Sequence, residues 1–463
     1  MDLVFAGLLG VVLGELFRWI FMRGLHTRIL TISHKASRVV RSRTLSDEQK
    51  QLAVGAYAGM MMVTTLKLTG CFILVIAVGA LLLLPYQLLG HDVGAFLASG
   101  KVLVIMTLVS LLYIWVRSQL TASSTQEDYG PGSRFLHKIA LGNGIIPEVS
   151  WDLEKALLGK RNESITQDRH VFIAGLARAG TTVLMRRLFA SGAFQSLTYQ
   201  DMPFVLMPNL WRKMRGRNAR SGEKKERAHG DGLLVDFDSP EALEEVFWRF
   251  HEGDSYLKED RLVPMQGSEE TIEEFREYIR AILKEHPNER YLSKNNNNIL
   301  RLGSLNEAFP NSIILIPYRE PLQQAYSLWQ QHRRFLDSDP FTAKYMVWLA
   351  HHEFGQGHRP FVFCESQILE GAPENLDYWL SLWRNVYGWL IQNVPGNARF
   401  ISYRQLCEDT ESVWGVLERD LDLPPALKNA DHLTYREREV NIPYNPSLLT
   451  EARVIYQQLV ERG

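Results

Sequence analysis

The sequence predicts an α/β domain, built on a mainly parallel sheet flanked by helices and preceded by a helical transmembrane region. Three observations carry that expectation. Long apolar runs are confined to residues 1–117. From about Trp151, short β-branched or aromatic runs alternate with helical patterns, the texture of strands separated by helices. Between His170 and Phe189 an apolar strand runs into a glycine-bounded turn and then a helix.

In the amino-terminal region, Leu68 to Leu89 carries no charge. At ~1.5 Å per residue such a helix crosses a ~30 Å hydrocarbon core. Val93 to Val116 is a second expected span, with Lys101 able to snorkel from near its start. Leu3 to Met22 is a third, interrupted by Glu15 and Arg18, which at i,i+3 can pair on one helix face. The alternative for each is a buried core helix. Gln51 to Leu66 is also apolar, bounded by Lys50 and Lys67, and is short for a span, so it is expected to be interfacial or re-entrant. The start of the chain lacks a basic n-region and a small-residue cleavage site, so it does not read as a signal peptide.

Flanking charge gives an orientation. Arg23, Arg28, Lys35, Arg38, Arg41 and Arg43 lie between the first and second expected spans, against only Asp47 and Glu48. The positive-inside rule places that loop in the cytoplasm. Spans at 3–22, 68–89 and 93–116 then make a multi-pass integral membrane protein whose α/β domain is cytoplasmic. Should 51–66 also cross, the domain changes sides.

Residues 118–150 form a polar connector bearing Ser, Gly and Pro (TASSTQEDYGPGS), and 151–463 the α/β domain. Strands are expected at His170–Ala174, Ser196–Tyr199, Tyr291–Ser293, Ile313–Tyr318 and Arg399–Tyr403. Helices are expected at Pro240–His251, Glu269–Glu285 and Leu376–Gln392. Such sheets bind ligands beyond the carboxyl ends of their strands. Lysine plus arginine (51) balance aspartate plus glutamate (52), which gives no whole-chain reason to expect nucleic-acid binding. Three cysteines, Cys71, Cys364 and Cys407, exclude a disulfide framework and show no metal-ligand spacing. Trp211 to Gly230 is basic, either a solvated loop or a patch for anionic lipid or an anionic acceptor. His351, His352 and His358 with Glu353 lack a second ligand cluster, so no metal is expected.

The decisive segment is HVFIAGLARAGTTVLMRRLF. Gly175 and Gly180 leave room for backbone N–H groups to approach a phosphate, and the helix starting near Thr181 adds its positive dipole end. The two glycines have the spacing of G-x-x-x-x-G-K-[ST], but Thr181 replaces the lysine that reaches β/γ-phosphates. A cation stands inside the loop instead, at Arg178. The loop is poorly suited to ATP hydrolysis and well suited to a 5′-phosphate bearing one further anionic group. A second motif, NSIILIPYREPLQQAYSLWQ, is a buried strand ending in Tyr318-Arg319, with Pro321 opening a helix that carries Ser327.

RAGTT resembles the 5′-phosphosulfate loop of the PAPS-dependent sulfotransferases, which usually reads as a basic residue followed by SGTT. Ala179 replaces the serine, which removes a hydroxyl but no backbone donor. The resemblance covers roughly residues 168–425 and implies the P-loop-like sulfotransferase fold. It implies that Arg178, Ala179, Gly180, Thr181 and Thr182 hold the 5′ side of PAPS. It likewise implies that Arg319 and Ser327 bind the 3′-phosphate and that Tyr403, in RFISYRQL, lies beside the adenine, with core packing as the alternative for Tyr403. Lys294, in YLSKNNNNILRL, matches the family lysine near the bridging oxygen. Several cytosolic members carry a histidine base two residues further on, where this chain has Asn296. Asp201, in LTYQDMPF, stands about where protein-tyrosine sulfotransferases carry a carboxylate base, or else caps the following helix. The family's C-terminal Arg-Lys-Gly loop is not recognisable, and Arg436 and Arg438 are the candidates to replace it. The expected activity is sulfuryl transfer from PAPS to a hydroxyl or amine, with PAP as product. Membrane attachment favours a lipid or glycan acceptor. The alternatives are a kinase or NTPase on the same scaffold, or an inactive membrane-anchored nucleotide-binding scaffold.

Overall fold

The computed structural model describes residues 2–22, 47–120, 145–158, 168–215, 243–365, 369–423 and 434–463, with short stretches between them. The chain divides into two compact units, Met1–Ile146 and Pro147–Gly463. Residues 121–136 of the expected connector, much of the basic loop 23–43, and residues 216–224 and 227–230 of the basic segment lie outside the described residues.

The first unit is helical: α1 (Asp2–Met22), α2 (Asp47–Leu88), α3 (Val93–Ala98) and α4 (Gly100–Leu120). Gly10 and Gly14 bring the α1 and α4 backbones together. A Cβ on Gly10 would lie 2.9 Å from the Met106 carbonyl oxygen, and one on Gly14 3.1 Å from that of Ser110. This is the small-residue contact by which apolar helices approach closely. Ser110 donates to the Gly10 carbonyl at 2.7 Å, and Tyr113 to the Glu15 carboxylate at 3.0 Å.

The three-span expectation is not met. Among the described residues one helix, Val54–Leu88, is long and apolar enough to cross a membrane, and the apolar stretches Phe5–Phe17 and Gly100–Tyr113 are shorter. Gln51–Leu66 and Leu68–Leu89 are not separate segments, because α2 runs through Lys67. One lysine lowers the local hydropathy but is itself a good helix former. The expected span Val93–Val116 is divided at Ser99, where α3 ends.

The second unit carries a parallel sheet. Its strands are β1 (Val171–Ile173), β2 (Phe194–Gln195), β5 (Arg290–Lys294), β6 (Ile313–Tyr318) and β7 (Ala398–Ser402), in the order β2-β5-β1-β6-β7. A short antiparallel pair, β3 (Lys225–Glu226) and β4 (Leu234–Val235), stands apart. The chain leaves β1 in the centre and later fills both sides of it, so the switch point lies at the carboxyl end of β1. β1 and most of β6 read as unbroken apolar runs because they are buried. Val171, Ile173, Leu184, Leu188, Leu292 and Leu315 share one core cluster.

The expected second strand, Ser196–Tyr199, is displaced. Phe194 and Gln195 pair with Arg290 and Tyr291, and residues Tyr199–Asp201 form a 3-10 turn. Thr198 and Asp201 cap each other there and turn the chain out of the sheet. The remaining helices in chain order are α5 (Ile145–Leu158), α6 (Thr181–Phe189), α7 (Pro208–Arg215), α8 (Glu245–Tyr256), α9 (Glu269–Leu283) and α10 (Leu302–Ala308). They continue with α11 (Pro321–Leu336), α12 (Pro340–Trp348), α13 (Leu376–Asn393), α14 (Tyr403–Glu408), α15 (Thr410–Asp420) and α16 (Pro446–Arg462).

A buried ion pair fixes the turn after β5. Arg301 donates to the Glu245 carboxylate, and both side chains are buried. Asn295 donates to the same carboxylate at 2.5 Å, and Tyr256 adds its hydroxyl. Glu245→Ala leaves a buried guanidinium uncompensated, which is expected to cost about 3–5 kcal/mol. Urea unfolding measures this directly, and an unchanged midpoint would show that the pair does not support the fold.

Candidate active site

The site forms at the carboxyl ends of β1, β5, β6 and β7. After β1 the chain must turn sharply into α6. Arg178 and Gly180 both adopt left-handed conformations there, with φ 68° and 89°. Gly180 has a second reason to lack a side chain: a Cβ would sit 2.4 Å from Cδ2 of Tyr403. Gly180 is the N-cap of α6, and Thr181 and Thr182 occupy its buried first turn. Ala179 is fully buried. The loop thus leads directly into the amino-terminal end of α6, the kind of helix end that suits an anion.

β6 delivers the second part. Arg319 follows its last residue, and α11 begins two residues later with Pro321 at its start. Ser327 lies on the buried face of α11 and accepts from Arg178 Nε at 3.1 Å. The structure therefore joins the loop cation to the serine of the other motif. The Arg319 guanidinium lies 5.1 Å from the ring of Tyr403 and 5.9 Å from that of Tyr435. Its Nη2 donates to the Arg436 carbonyl at 3.4 Å, and its buried Nε has no hydrogen-bond partner among the described residues. A buried guanidinium donor without an acceptor fits an anionic ligand. Arg436 thus contributes a backbone carbonyl here, and Arg438 pairs its backbone with the Gln323 side chain.

Gln324 ties these parts together. Its amide oxygen accepts from Arg319 N at 3.2 Å and from Trp383 Nε1 at 2.9 Å. Its amide nitrogen donates to the Ala177 carbonyl at 3.0 Å. Sequence reasoning missed Gln324, although a signal existed. Gln324, Ser327, Leu328 and Gln331 recur at i, i+3, i+4 and i+7, and all four are buried.

β5 delivers Lys294 as its last residue, in register with Ile173 of β1 and buried. The four asparagines after it are also buried, and each side chain holds a different partner. Asn295 donates to Glu245, Asn296 to Glu353 at 2.7 Å, Asn297 to the Ala350 carbonyl at 3.1 Å and Asn298 to Ser293 at 3.5 Å. Among the described residues no group of three or more His, Cys, Asp or Glu is arranged to hold a metal ion.

Asp201, the candidate base, is buried and bonded within its own turn. One carboxylate oxygen accepts from Thr198 N at 2.8 Å and from its hydroxyl at 3.2 Å, and the other lies 3.7 Å from Arg212.

A glycine-bounded loop between strand and helix, at the switch point of a parallel sheet and faced by two arginines, defines a phosphate-loop α/β protein. The pattern described as "Sulfotransferase family" matches residues 170–426, and the chain belongs to that family of transferases. Solved structures with similarity include a sulfotransferase from Mycobacterium tuberculosis at 12% identity, covering 76% of this chain and 91% of that one with a TM-score of 0.36. A sulfotransferase from Mycobacterium avium shows 14% identity over 76% of this chain and 81% of that one, TM-score 0.36. One from Alicyclobacillus acidocaldarius shows 14% identity over 64% and 98%, TM-score 0.33. Comparison with curated proteins gives no match.

The geometry at Asp201 yields a test. Asp201→Asn removes the charge that the cap and Arg212 use. It is expected to cost about 0.5–2 kcal/mol of stability and to leave turnover intact. A turnover loss of about 10²-fold or more at unchanged stability would make Asp201 the base.

Proposed function

We propose that the chain transfers the sulfuryl group of PAPS to a hydroxyl or amine of an acceptor. The observation that carries the reading is the convergence of the Gly175–Thr182 loop, the Arg178–Ser327 pair and the Arg319–Tyr403 contact at one end of the sheet. When bound, PAPS supplies an activated sulfuryl group on a phosphate leaving group. The residues do the rest. The loop amides, Arg178, Thr181 and Thr182 hold the 5′ side, Arg319 and Ser327 the 3′-phosphate, and Tyr403 packs beside the base. Lys294 neutralises charge that develops on the leaving oxygen, the role that raises a rate without tightening ground-state binding. Thr181, in place of a P-loop lysine, disfavours the kinase or NTPase reading.

Calorimetry with PAP, ATP and GTP, without magnesium, tests the donor: tight binding of PAP alone is expected. Arg319→Ala should weaken PAP more than adenosine 5′-phosphosulfate, which lacks the 3′-phosphate. A charged hydrogen bond of about 1.5–3 kcal/mol corresponds to roughly ten- to a hundredfold. Equal loss for both ligands would remove the 3′-phosphate assignment. Lys294→Ala should lower kcat while PAP still binds.

We further propose that Val54–Leu88 anchors the chain in a membrane, which favours a lipid or membrane-tethered glycan as acceptor. Leu66, Ile73, Ile76 and Leu81 are each more than 60% exposed on this helix, an apolar surface suited to hydrocarbon. Resistance to carbonate extraction is expected, and release into the soluble fraction would exclude the anchor. With the basic loop 23–43 in the cytoplasm, a reporter after Gly463 reads the number of crossings. A signal from the opposite side means that α2 crosses without α4, and a cytoplasmic signal from a chain that resists extraction means that α4 crosses back after α2.

A further inference from the structure

Residues 434–440 are far from the phosphate loop in sequence, yet they are fastened beside the site. Gln323, buried near the start of α11, is the main fastening. Its Nε2 donates to the Arg438 carbonyl at 2.9 Å, and its Oε1 accepts from Arg438 N at 2.8 Å. One side-chain amide thus pairs with a backbone residue as a neighbouring strand would. The Arg438 guanidinium is turned to Gln330, whose Oε1 accepts from Nη1 at 2.5 Å. Further along, Asn445 N donates to the Asp377 carboxylate at 2.7 Å.

The side chain this segment brings to the site is Tyr435. Its ring lies 6.3 Å from that of Tyr403 and 5.9 Å from the Arg319 guanidinium, which in turn lies 5.1 Å from Tyr403. Arg436 and Arg438 on either side are exposed. The Tyr435 hydroxyl is buried and has no hydrogen-bond partner among the described residues, and the same holds for Arg319 Nε. Burial pushes the hydroxyl up, against the pull of the Arg319 charge, so it keeps its proton and can donate. Glu320 and Glu437 also act on it, and Glu320 is engaged, capping α11 through Gln323 N at 2.9 Å and lying 3.4 Å from Arg453. Two buried donors on adjacent side chains, neither bonded to the other, mark a place for an acceptor that the ligand brings.

We propose that Tyr435 determines donor specificity: its hydroxyl and Arg319 Nε donate to the same phosphate group, and Gln323 positions the segment that carries it. This rests on the reading above, in which Arg319 takes the 3′-phosphate of PAPS. The segment then contributes a neutral donor held by a fixed backbone, and not the charge of Arg436 or Arg438. A tyrosine hydroxyl adds a hydrogen bond to a charged oxygen without placing a second cation against Arg319.

The test uses the full chain in detergent and measures binding of PAP and of 5′-AMP, which lacks the 3′-phosphate, by calorimetry. Tyr435→Phe keeps the ring and removes the hydroxyl. It is expected to weaken PAP by roughly ten- to a hundredfold and to leave 5′-AMP unchanged, which also shows that the variant is folded. The 31P resonance of the 3′-phosphate of bound PAP should move in Tyr435→Phe, while that of the 5′-phosphate stays. Gln323→Leu should weaken PAP in the unsubstituted chain and have no further effect in Tyr435→Phe, because it acts through the hydroxyl. Unchanged PAP affinity in Tyr435→Phe, or equal loss of PAP and 5′-AMP, overturns the assignment of Tyr435. Additive losses in the double variant overturn the positioning role of Gln323. An unsubstituted chain that binds PAP no more tightly than 5′-AMP overturns the 3′-phosphate reading itself, and Tyr435 with it.

Discussion

The site depends on one buried amide. Gln324 accepts from the backbone of Arg319 and from the indole of Trp383, and it donates to the carbonyl of Ala177. A hydrogen bond of this kind contributes only about 0.5–1.5 kcal/mol net, but a buried partner left alone costs about 1–3 kcal/mol. The loop after β1 and the end of β6 are therefore not free to move apart. Arg178 and Ser327 inherit their contact from this link, and so does the position of Arg319 against Tyr403.

The far side of the site is built from polar groups rather than apolar packing. Four consecutive asparagines hold four partners, and the Glu245–Arg301 pair anchors the first of them. Buried charges and amides contribute little net stability compared with apolar packing. Their geometry is directional, however, and Lys294 stands directly before them. This arrangement lets one turn hold segments that come from distant parts of the chain.

The amino-terminal unit obeys different physics. Gly10 and Gly14 let α1 meet α4 backbone to backbone, and Tyr113 satisfies Glu15 within the helical unit. The polar residue that weakened the hydropathy of the first segment is thereby given a partner. The large apolar side chains of α2 remain outward, an arrangement that favours an environment without water.

Local chemistry made much of the second unit legible in the sequence. The unbroken apolar run Ile313–Tyr318 is a strand with those bounds, and the glycines and proline that punctuate the loops around β1 and β6 mark turns only those residues enter easily. The resemblance of the RAGTT loop pointed to the family that the pattern over residues 170–426 defines. Partnerships were not legible. The continuity of α2 through Lys67 was hidden because hydropathy records charge, not helix propensity. The engagement of Asp201 depends on the displaced register of β2, and the link from Asn296 to Glu353 joins segments far apart in sequence. Sequence fixes which groups a residue offers to a hydrogen bond. Only the folded chain decides which of them meet, because burial forces each buried donor and acceptor to find a partner among whatever the tertiary packing brings near.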